Sequence, residues 1–236
     1  MANILGFTKN SQDRLSAEHV FLIGIVAVSL AGFMLFSDDR WADHLLSMVG
    51  TIAVILLLIG FGLSRMHPML WKRIFHKAEY GRYVKGQREI VEALQNLGDE
   101  YQVLCGFTFE LIHIEFLVLC PGNIFVLGQA NTQAPLRVED DLLMAGNQSL
   151  QKLTANLWKA SHLVNLVFKK GYGRDLMPMP ILVIPHGQEQ GVEEFDGITI
   201  VHPEQLGALL DRSRQQDISE EMVLGFSEYL YKRYMA

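Results

Sequence analysis

Two long apolar runs stand near the start of the chain, and beyond them the pattern breaks into short alternations and short helical stripes. Val20–Phe36 carries no charge over 17 residues, which at 1.5 Å per residue reaches about 26 Å, the low end of what crosses a bilayer. Leu45–Leu63 reaches about 28 Å by the same rise. Each run predicts a transmembrane helix. A cleaved leader is the alternative for the first, but the stretch is longer than a usual leader's apolar region, and Phe36-Ser37-Asp38 offers no small-residue cleavage site. Ser37–His44 holds three aspartates and one arginine and predicts a tight turn between antiparallel helices. No ionisable side chain interrupts either run, so a proton relay, channel or transporter has nothing to work with inside the bilayer.

From Lys85, apolar residues at Ile90, Val91, Leu94 and Leu97 recur at helical spacing, and Gly98 closes the pattern as a C-cap glycine would. Tyr101–Cys105, Phe107–Cys120 and Ile124–Leu127 predict three strands, the last two a hairpin over Pro121-Gly122-Asn123. Gln129–Asp141 lacks an apolar period and reads as a loop with at most one short strand at Leu136–Val138. Leu150, Leu153, Leu157, Val164 and Phe168 mark one face of a long helix ending at Lys169-Lys170-Gly171, where basic residues suit the negative end of the helix dipole. Pro180 and Pro185 bracket a buried strand, Ile181–Ile184, and Ile198–Val201 gives another. A helix at Pro203–Arg212 and a last one opened by Asp217, with Glu220 as capping-box partner, complete the order α, β, β, β, α, β, β, α, α. That order predicts an α/β layer fold, a mixed sheet flanked by helices. The organisation is then an N-terminal segment at 1–18, a two-helix hairpin at 19–64, a linker at 65–84, an α/β domain at 85–213 and a C-terminal helix at 214–236.

Charge adds a direction to this layout. Arg65, Lys72, Arg73, Lys77, Arg82, Lys85 and Arg88 face the single acid Glu79, so the positive-inside bias places the linker in the cytoplasm, with the N-terminus on the same side. Trp41, Trp71 and His67 flank the helix ends, where amphipathic rings favour the headgroup layer, and Lys72 and Arg73 join them at the interface. The basic stretch serves chiefly as a topology signal and can attract anionic lipid as well. Residues 1–88 carry 10 basic and 6 acidic side chains, a formal +4, whereas residues 89–236 carry 10 and 20, a formal −10. An acidic domain repels phosphate backbones on average, which disfavours nucleic acid as a partner.

Composition and motifs narrow the chemistry. Half of the 236 residues are apolar and 19% are charged, too apolar for a disordered chain. Cys105 and Cys120 lack the paired spacing of a zinc site and read as reduced core residues. His113-x-Glu115 has the spacing of a zinc deaminase's H-x-E, but no P-C-x-x-C follows. No phosphate-binding glycine loop of the P-loop or dinucleotide type is present. His186 and His202 fall at strand ends and read as turn residues, while Tyr229, Tyr231 and Tyr234 beside Lys232 and Arg233 could serve either packing or a partner surface.

Taken in order, KGQREIVEALQNL (85–97), YQVLCGF, IEFLVLCPGNIFVLGQAN (114–131), NQSLQKLTANL, MPILVIP and ITIVHPEQL resemble the NERD (nuclease-related) domain. That domain belongs to the PD-(D/E)XK nuclease-like group, whose core is a helix, three strands, a helix and a strand. The resemblance covers about Tyr80 to Asp211. It implies a metal-dependent nuclease site whose acidic oxygens hold Mg²⁺ or Mn²⁺ beside a lysine. Matched residue by residue, the helix acid falls on Gln87, the strand Asp on Glu115, the next acid on Gly128 and the lysine on Ala130. One acid of three survives and the lysine is gone. Glu89 lies about 200° round the helix from Gln87, and Gln129 alternates to the opposite side of its strand from Gly128. The resemblance therefore implies no catalytic residue, no cofactor and no metal, with Glu115 as ligand only if activity survives. Together with the apolar hairpin, the basic linker and the acidic domain, it points to a two-span bacterial inner-membrane protein with both termini cytoplasmic, acting as a binding or scaffolding part of a secretion, conjugation or defence assembly. Its partners would be the lipid bilayer and other proteins. The alternatives are a membrane-tethered metal-dependent DNA nuclease and a nucleic-acid sensor that does not cut.

Overall fold

The computed structural model describes residues 1–6, 77–110, 112–186, 191–214 and 218–235. The chain divides into two compact units, Met1–Ser11 with Gly81–Ala236, and Gln12–Tyr80. Of the second unit only residues 77–80 are described. The predicted hairpin at 19–64, and with it Trp41, Trp71, Lys72 and Arg73, lies outside the described residues. Among the described residues no helix is long and apolar enough to cross a membrane.

The first unit is a mixed α/β layer fold. Its elements are β1 (Asn3–Leu5), α1 (Lys77–Gln95), β2 (Gln102–Phe109), β3 (Ile112–Cys120), β4 (Asn123–Gln129), β5 (Leu136–Glu139), β6 (Leu142–Ala145), β7 (Gln148–Ser149), α2 (Gln151–Tyr172), β8 (Met179–Val183), β9 (Glu194–Phe195), β10 (Ile198–Val201), α3 (Pro203–Arg212) and α4 (Glu220–Tyr234). The main sheet runs β1-β2-β3-β4-β8-β10-β9. Strands β2, β3 and β4 form an antiparallel meander, and β4 pairs in parallel with β8 across the α2 crossover. Strands β5, β6 and β7 make a separate small sheet.

Two apolar layers sandwich the main sheet. On one face Ile90, Val91, Leu94 and Leu97 of α1 and Leu206 and Leu210 of α3 meet Val103, Phe116, Val118, Phe125, Leu127 and Ile181. On the other, Leu157, Ala160, Val164 and Phe168 of α2 and Val223, Phe226 and Leu230 of α4 pack with Leu104, Leu117, Leu119 and Val126. The small sheet adds Leu136, Leu143 and Ala145 to this second layer.

Several boundaries differ from the sequence reading, each for a local reason. Helix α1 starts at Lys77 rather than Lys85: the buried Tyr83 extends the apolar stripe two turns back from Ile90, and an aromatic with a polar tip is easily left out of such a stripe. Strand β2 does not stop at Cys105 but runs through Gly106 to Phe109. The reversal comes at Glu110, at φ 45°, inside a run without Gly or Pro to mark it. The supposed loop after Gln129 holds a hairpin whose turn residues Asp140 and Asp141 both have positive φ (50° and 58°), the two-residue geometry that suits strand twist. Asp196-Gly197, at 49° and 70°, turns β9 into β10 the same way. Helix α2 ends one residue later than read, at Tyr172, with Gly173 left-handed and its N–H on the Lys169 carbonyl.

The last helix is capped by Ser219, whose side chain accepts from the Met222 N–H, with Glu220 as first helical residue rather than capping-box partner of Asp217. It is part of the core rather than a separate appendage: Phe226 is 2% exposed and meets Phe168 edge to face, centroids 5.1 Å apart. Phe226→Ala is therefore expected to cost about 3–5 kcal/mol in equilibrium unfolding, while Leu224→Ala on the exposed side of the same helix stays within about 0.5 kcal/mol.

Candidate functional site

The side-chain alternation of β2 and β3 is reset midway. Val103 and Cys105 face the α1 layer, but Phe107 and Phe109 face the α2 layer. On β3, Phe116 and Val118 face α1, whereas Ile114 faces α2. The break falls at Gly106, at φ 63°, and at Glu115, which the common register sets opposite it. Only glycine adopts that φ without strain. The β3–β4 pairing also ends here, with Phe116↔Leu127 as its last pair toward Gln129.

Beyond that pair the Gln129 N–H has no β3 carbonyl to meet. It donates instead to Glu115 Oε2. Glu115 Oε1 accepts from the Tyr83 hydroxyl (3.0 Å), which itself accepts from Gln87 Nε2 (3.0 Å). The Gln129 amide returns to the helix, Nε2 donating to the Tyr83 carbonyl at 3.1 Å. Its Oε1 is buried with no hydrogen-bond partner among the described residues. One network thus ties α1 to β3 and to the end of β4.

Glycine lets the helix come this close. A Cβ on Gly86 would lie 2.3 Å from Gln129 Nε2 and 2.8 Å from the Pro185 ring. One turn away, His186 contacts the Arg82 carbonyl through Nε2 (3.2 Å) and Glu89 through Nδ1 (3.6 Å). The first half of α1 therefore lies across the carboxyl ends of β4 and β8, the crevice where open α/β sheets usually receive ligands.

Burial pushes the Glu115 carboxyl above its usual range, with the Gln129 N–H and the Tyr83 hydroxyl pulling the other way. The residue as a whole is only partly buried, which moderates the push. The two cysteines are free and buried, and burial raises Cys105 to about 12 and Cys120 to about 11. Neither is poised as a nucleophile.

Of the four positions matched to the nuclease motif, the fold brings together Gln87 and Glu115. Gly128 and Ala130 lie on the α2 side, Gly128 against Leu157 and Ala130 within that core. This corrects the placement of the site: the pleat reset turns Glu115 toward α1, so the residue beside it is Gln129, which the alternation argument had set on the far side. Tyr83 was missed as well. Its signal was its place one turn before Gln87, and that of Gln129 was a lone polar side chain closing an apolar strand. Glu89 does face away, toward Lys85 and His186. His113 is exposed across from Thr108. His202 contacts the Ile184 carbonyl through Nδ1 (2.9 Å) and opens α3. Among the described residues no three His, Cys, Asp or Glu side chains gather as a metal site would require.

No protein-family model matches the chain, and neither a curated protein nor a solved structure shows significant similarity to it.

Glu115→Ala leaves the Gln129 N–H and the Tyr83 hydroxyl without acceptors and is expected to cost about 1–3 kcal/mol in equilibrium unfolding. Glu115→Gln costs less, since its amide oxygen serves the Gln129 N–H while its NH₂ donates to a Tyr83 hydroxyl turned toward Gln87. Because the folded carboxyl titrates above 4.5, the native chain is best served when this group is protonated in both states. Its stability relative to Glu115→Gln should fall as pH rises from about 4.5 through the raised folded value and level off beyond it. Gly86→Ala should destabilise despite alanine's helix preference, because Pro185 cannot yield as a flexible chain end can; a rise in the unfolding midpoint would show that the helix simply shifts.

Proposed function

We propose that the protein is a membrane-anchored, catalytically degenerate nuclease-like subunit that binds and organises other proteins at the cytoplasmic face of a bacterial inner membrane. The observation that carries this reading is the fate of Glu115, the one acid left at the motif positions. Both its oxygens are engaged by internal donors, the Tyr83 hydroxyl and the Gln129 N–H. Around it stand two amides and a phenol, groups that hold a hard divalent cation far less well than carboxylates. With the small sheet β5–β7 set aside as an insertion between β4 and α2, the order α1, β2, β3, β4, α2, β8 follows the helix, three strands, helix and strand of the PD-(D/E)XK group, which supports the resemblance to NERD domains.

The chain's connectivity supports the anchor. Strand β1 and the residues from Gly81 onward belong to one compact unit, so the stretch bearing both apolar runs leaves and re-enters the same domain. That fits an even number of crossings with both termini on one side.

The test uses the full chain in detergent micelles with Mg²⁺ or Mn²⁺ and single- and double-stranded DNA. The expected outcome is no cleavage, no cation binding by calorimetry, and other proteins recovered with it after cross-linking in intact membranes. Metal-dependent cutting that disappears in Glu115→Ala would overturn the degenerate reading in favour of the tethered nuclease. Recovery of the chain alone would remove the scaffold role.

A further inference from the structure

Helices α1 and α3 cover the same face of the sheet, and the space between them is not filled. A groove of about 470 Å³ lies there, bounded by the end of α1 and the turn after it on one side and by Pro203, Glu204, Gly207 and Asp211 of α3 on the other. The α3 wall is about 12 Å long at 1.5 Å per residue. The floor is apolar, since the lining residues Leu97, Tyr101 and Pro203 are buried. Small side chains keep the groove open. Ala93 lines it from α1, and a Cβ on Gly207 would meet only Leu97 Cδ2 among the described residues, at 3.6 Å.

The rim carries one sign of charge. Glu89, Glu92, Glu204 and Asp211 stand along it, and among the described residues no lysine, arginine or histidine lines it. Two of these acids already have partners: Glu89 faces Lys85 and His186 (both 3.6 Å), and Asp211 takes Arg214 (2.9 Å) and the Tyr101 hydroxyl (2.7 Å). Glu92 and Glu204 are exposed and form no ion pair among the described residues. Glu204 at least suits the positive end of the helix it opens. Glu92 stands in the last turn of α1, where the dipole is negative and the helix has no basic residue. A cation placed between the two walls relieves that arrangement. The acids are spread along the groove, and among the described residues no three gather as a metal site requires. An apolar floor under an acidic rim instead fits side chains with an apolar stem and a cationic head, which are lysine and arginine.

We propose that the groove between α1 and α3 docks a Lys- or Arg-bearing segment of a partner protein, its aliphatic stems on Leu97, Tyr101 and Pro203 and its cationic heads at Glu92 and Glu204. This deepens the scaffold reading by naming the class of segment bound, and it rests on that reading for the presence of a partner. The formal −10 of residues 89–236 draws such a segment in from a distance. The groove fixes where it settles.

The experiment follows the fluorescence anisotropy of a labelled peptide of Lys-Ala-Leu repeats titrated with the full chain in non-ionic detergent micelles, with a Glu-Ala-Leu peptide as its counterpart. The expected result is saturable binding of the lysine peptide alone, weakened about tenfold when Glu92→Lys and Glu204→Lys are combined. Glu194→Lys with Glu221→Lys alters the net charge equally at exposed positions outside the groove and leaves binding nearly unchanged. Gly207→Leu fills the groove without altering its charge and weakens binding too. Should the reversed chain fail to fold, Glu92→Gln with Glu204→Gln keeps the side-chain shape and is expected to weaken binding in the same direction. Equal loss in the two reversed chains would show attraction to net charge alone and overturn the groove, as would no binding by the unaltered chain or none lost in Gly207→Leu. Cross-linking in intact membranes tests the scaffold reading apart from this. Partners still recovered with the Glu92→Lys, Glu204→Lys chain would overturn the groove as their seat, whereas recovery of the unaltered chain alone would overturn the scaffold and its partner, with the peptide still reporting whether the groove binds.

Discussion

A backbone N–H that reaches the end of its ladder inside a protein must find an acceptor, since leaving it bare costs as much as a lost hydrogen bond. At Gln129 that acceptor is a side chain. The pleat reset at Gly106 and Glu115 ends the β3–β4 pairing at Phe116↔Leu127, and the same reset turns the Glu115 carboxylate to where the next carbonyl would have been. Break and repair are one feature. A carboxylate also has a second oxygen to offer, and that oxygen takes the Tyr83 hydroxyl, so the repair of a strand end becomes the seam by which a helix is fixed over the sheet. Gly86 sets how deep the helix settles, and Gln129 closes the seam by bonding back to the Tyr83 carbonyl.

The opposite end of the meander is held by charge over an aromatic ring. The Arg214 guanidinium lies 4.5 Å from the Tyr101 ring centroid and bonds Glu100 (2.7 Å), Asp211 (2.9 Å) and the Tyr101 hydroxyl (3.0 Å). The Asn123 amide fixes the neighbouring chain by donating to the Ser213 carbonyl (2.8 Å). These groups are partly exposed, so each ion pair contributes modestly. Their worth is geometric. They hold the segment after α3 against the β3–β4 turn, and from there α4 starts back across the α2 face of the sheet, where Phe226 fills the space beside Phe168 and Tyr172.

The layers and most elements were legible because they rest on periodicity. The stripe Ile90, Val91, Leu94, Leu97 and the stripe Leu157, Val164, Phe168 are buried as their spacing implies, and Pro203–Arg212 is helical to the residue. Elements that rest on partners were not legible. Asn3–Leu5 is a strand only because β2 presents an edge to it, and three residues carry no period. The small sheet depends on Asp140-Asp141 adopting left-handed φ, which the composition of the stretch disguised as loop. At the candidate site the identities Gln87 and Glu115 were found by order of motifs, but which strand residue joins them was not. Alternation counted from the apolar run of β3 fails one residue short of Glu115, because a reset of the pleat leaves no mark in sequence beyond a single glycine on the neighbouring strand.

That reset bears on how a nuclease-like cleft would lose its chemistry under the proposed reading. A cluster of carboxylates is stable only while a cation offsets its repulsion; without one, each acid raises the pKa of its neighbours and resists burial. Once the other acids are replaced by Gln87 and by residues turned to the α2 side, the remaining carboxylate needs hydrogen-bond donors rather than a metal. Tyr83 and the Gln129 N–H supply them at two ends of one group. The result is self-consistent and resists reversal. A carboxylate restored at position 87 would stand one hydroxyl away from Glu115, with no positive charge in the network among the described residues, and both acids would compete for the single Tyr83 proton. Under that reading, an exchange of metal ligands for internal donors would turn a site that binds into a seam that holds.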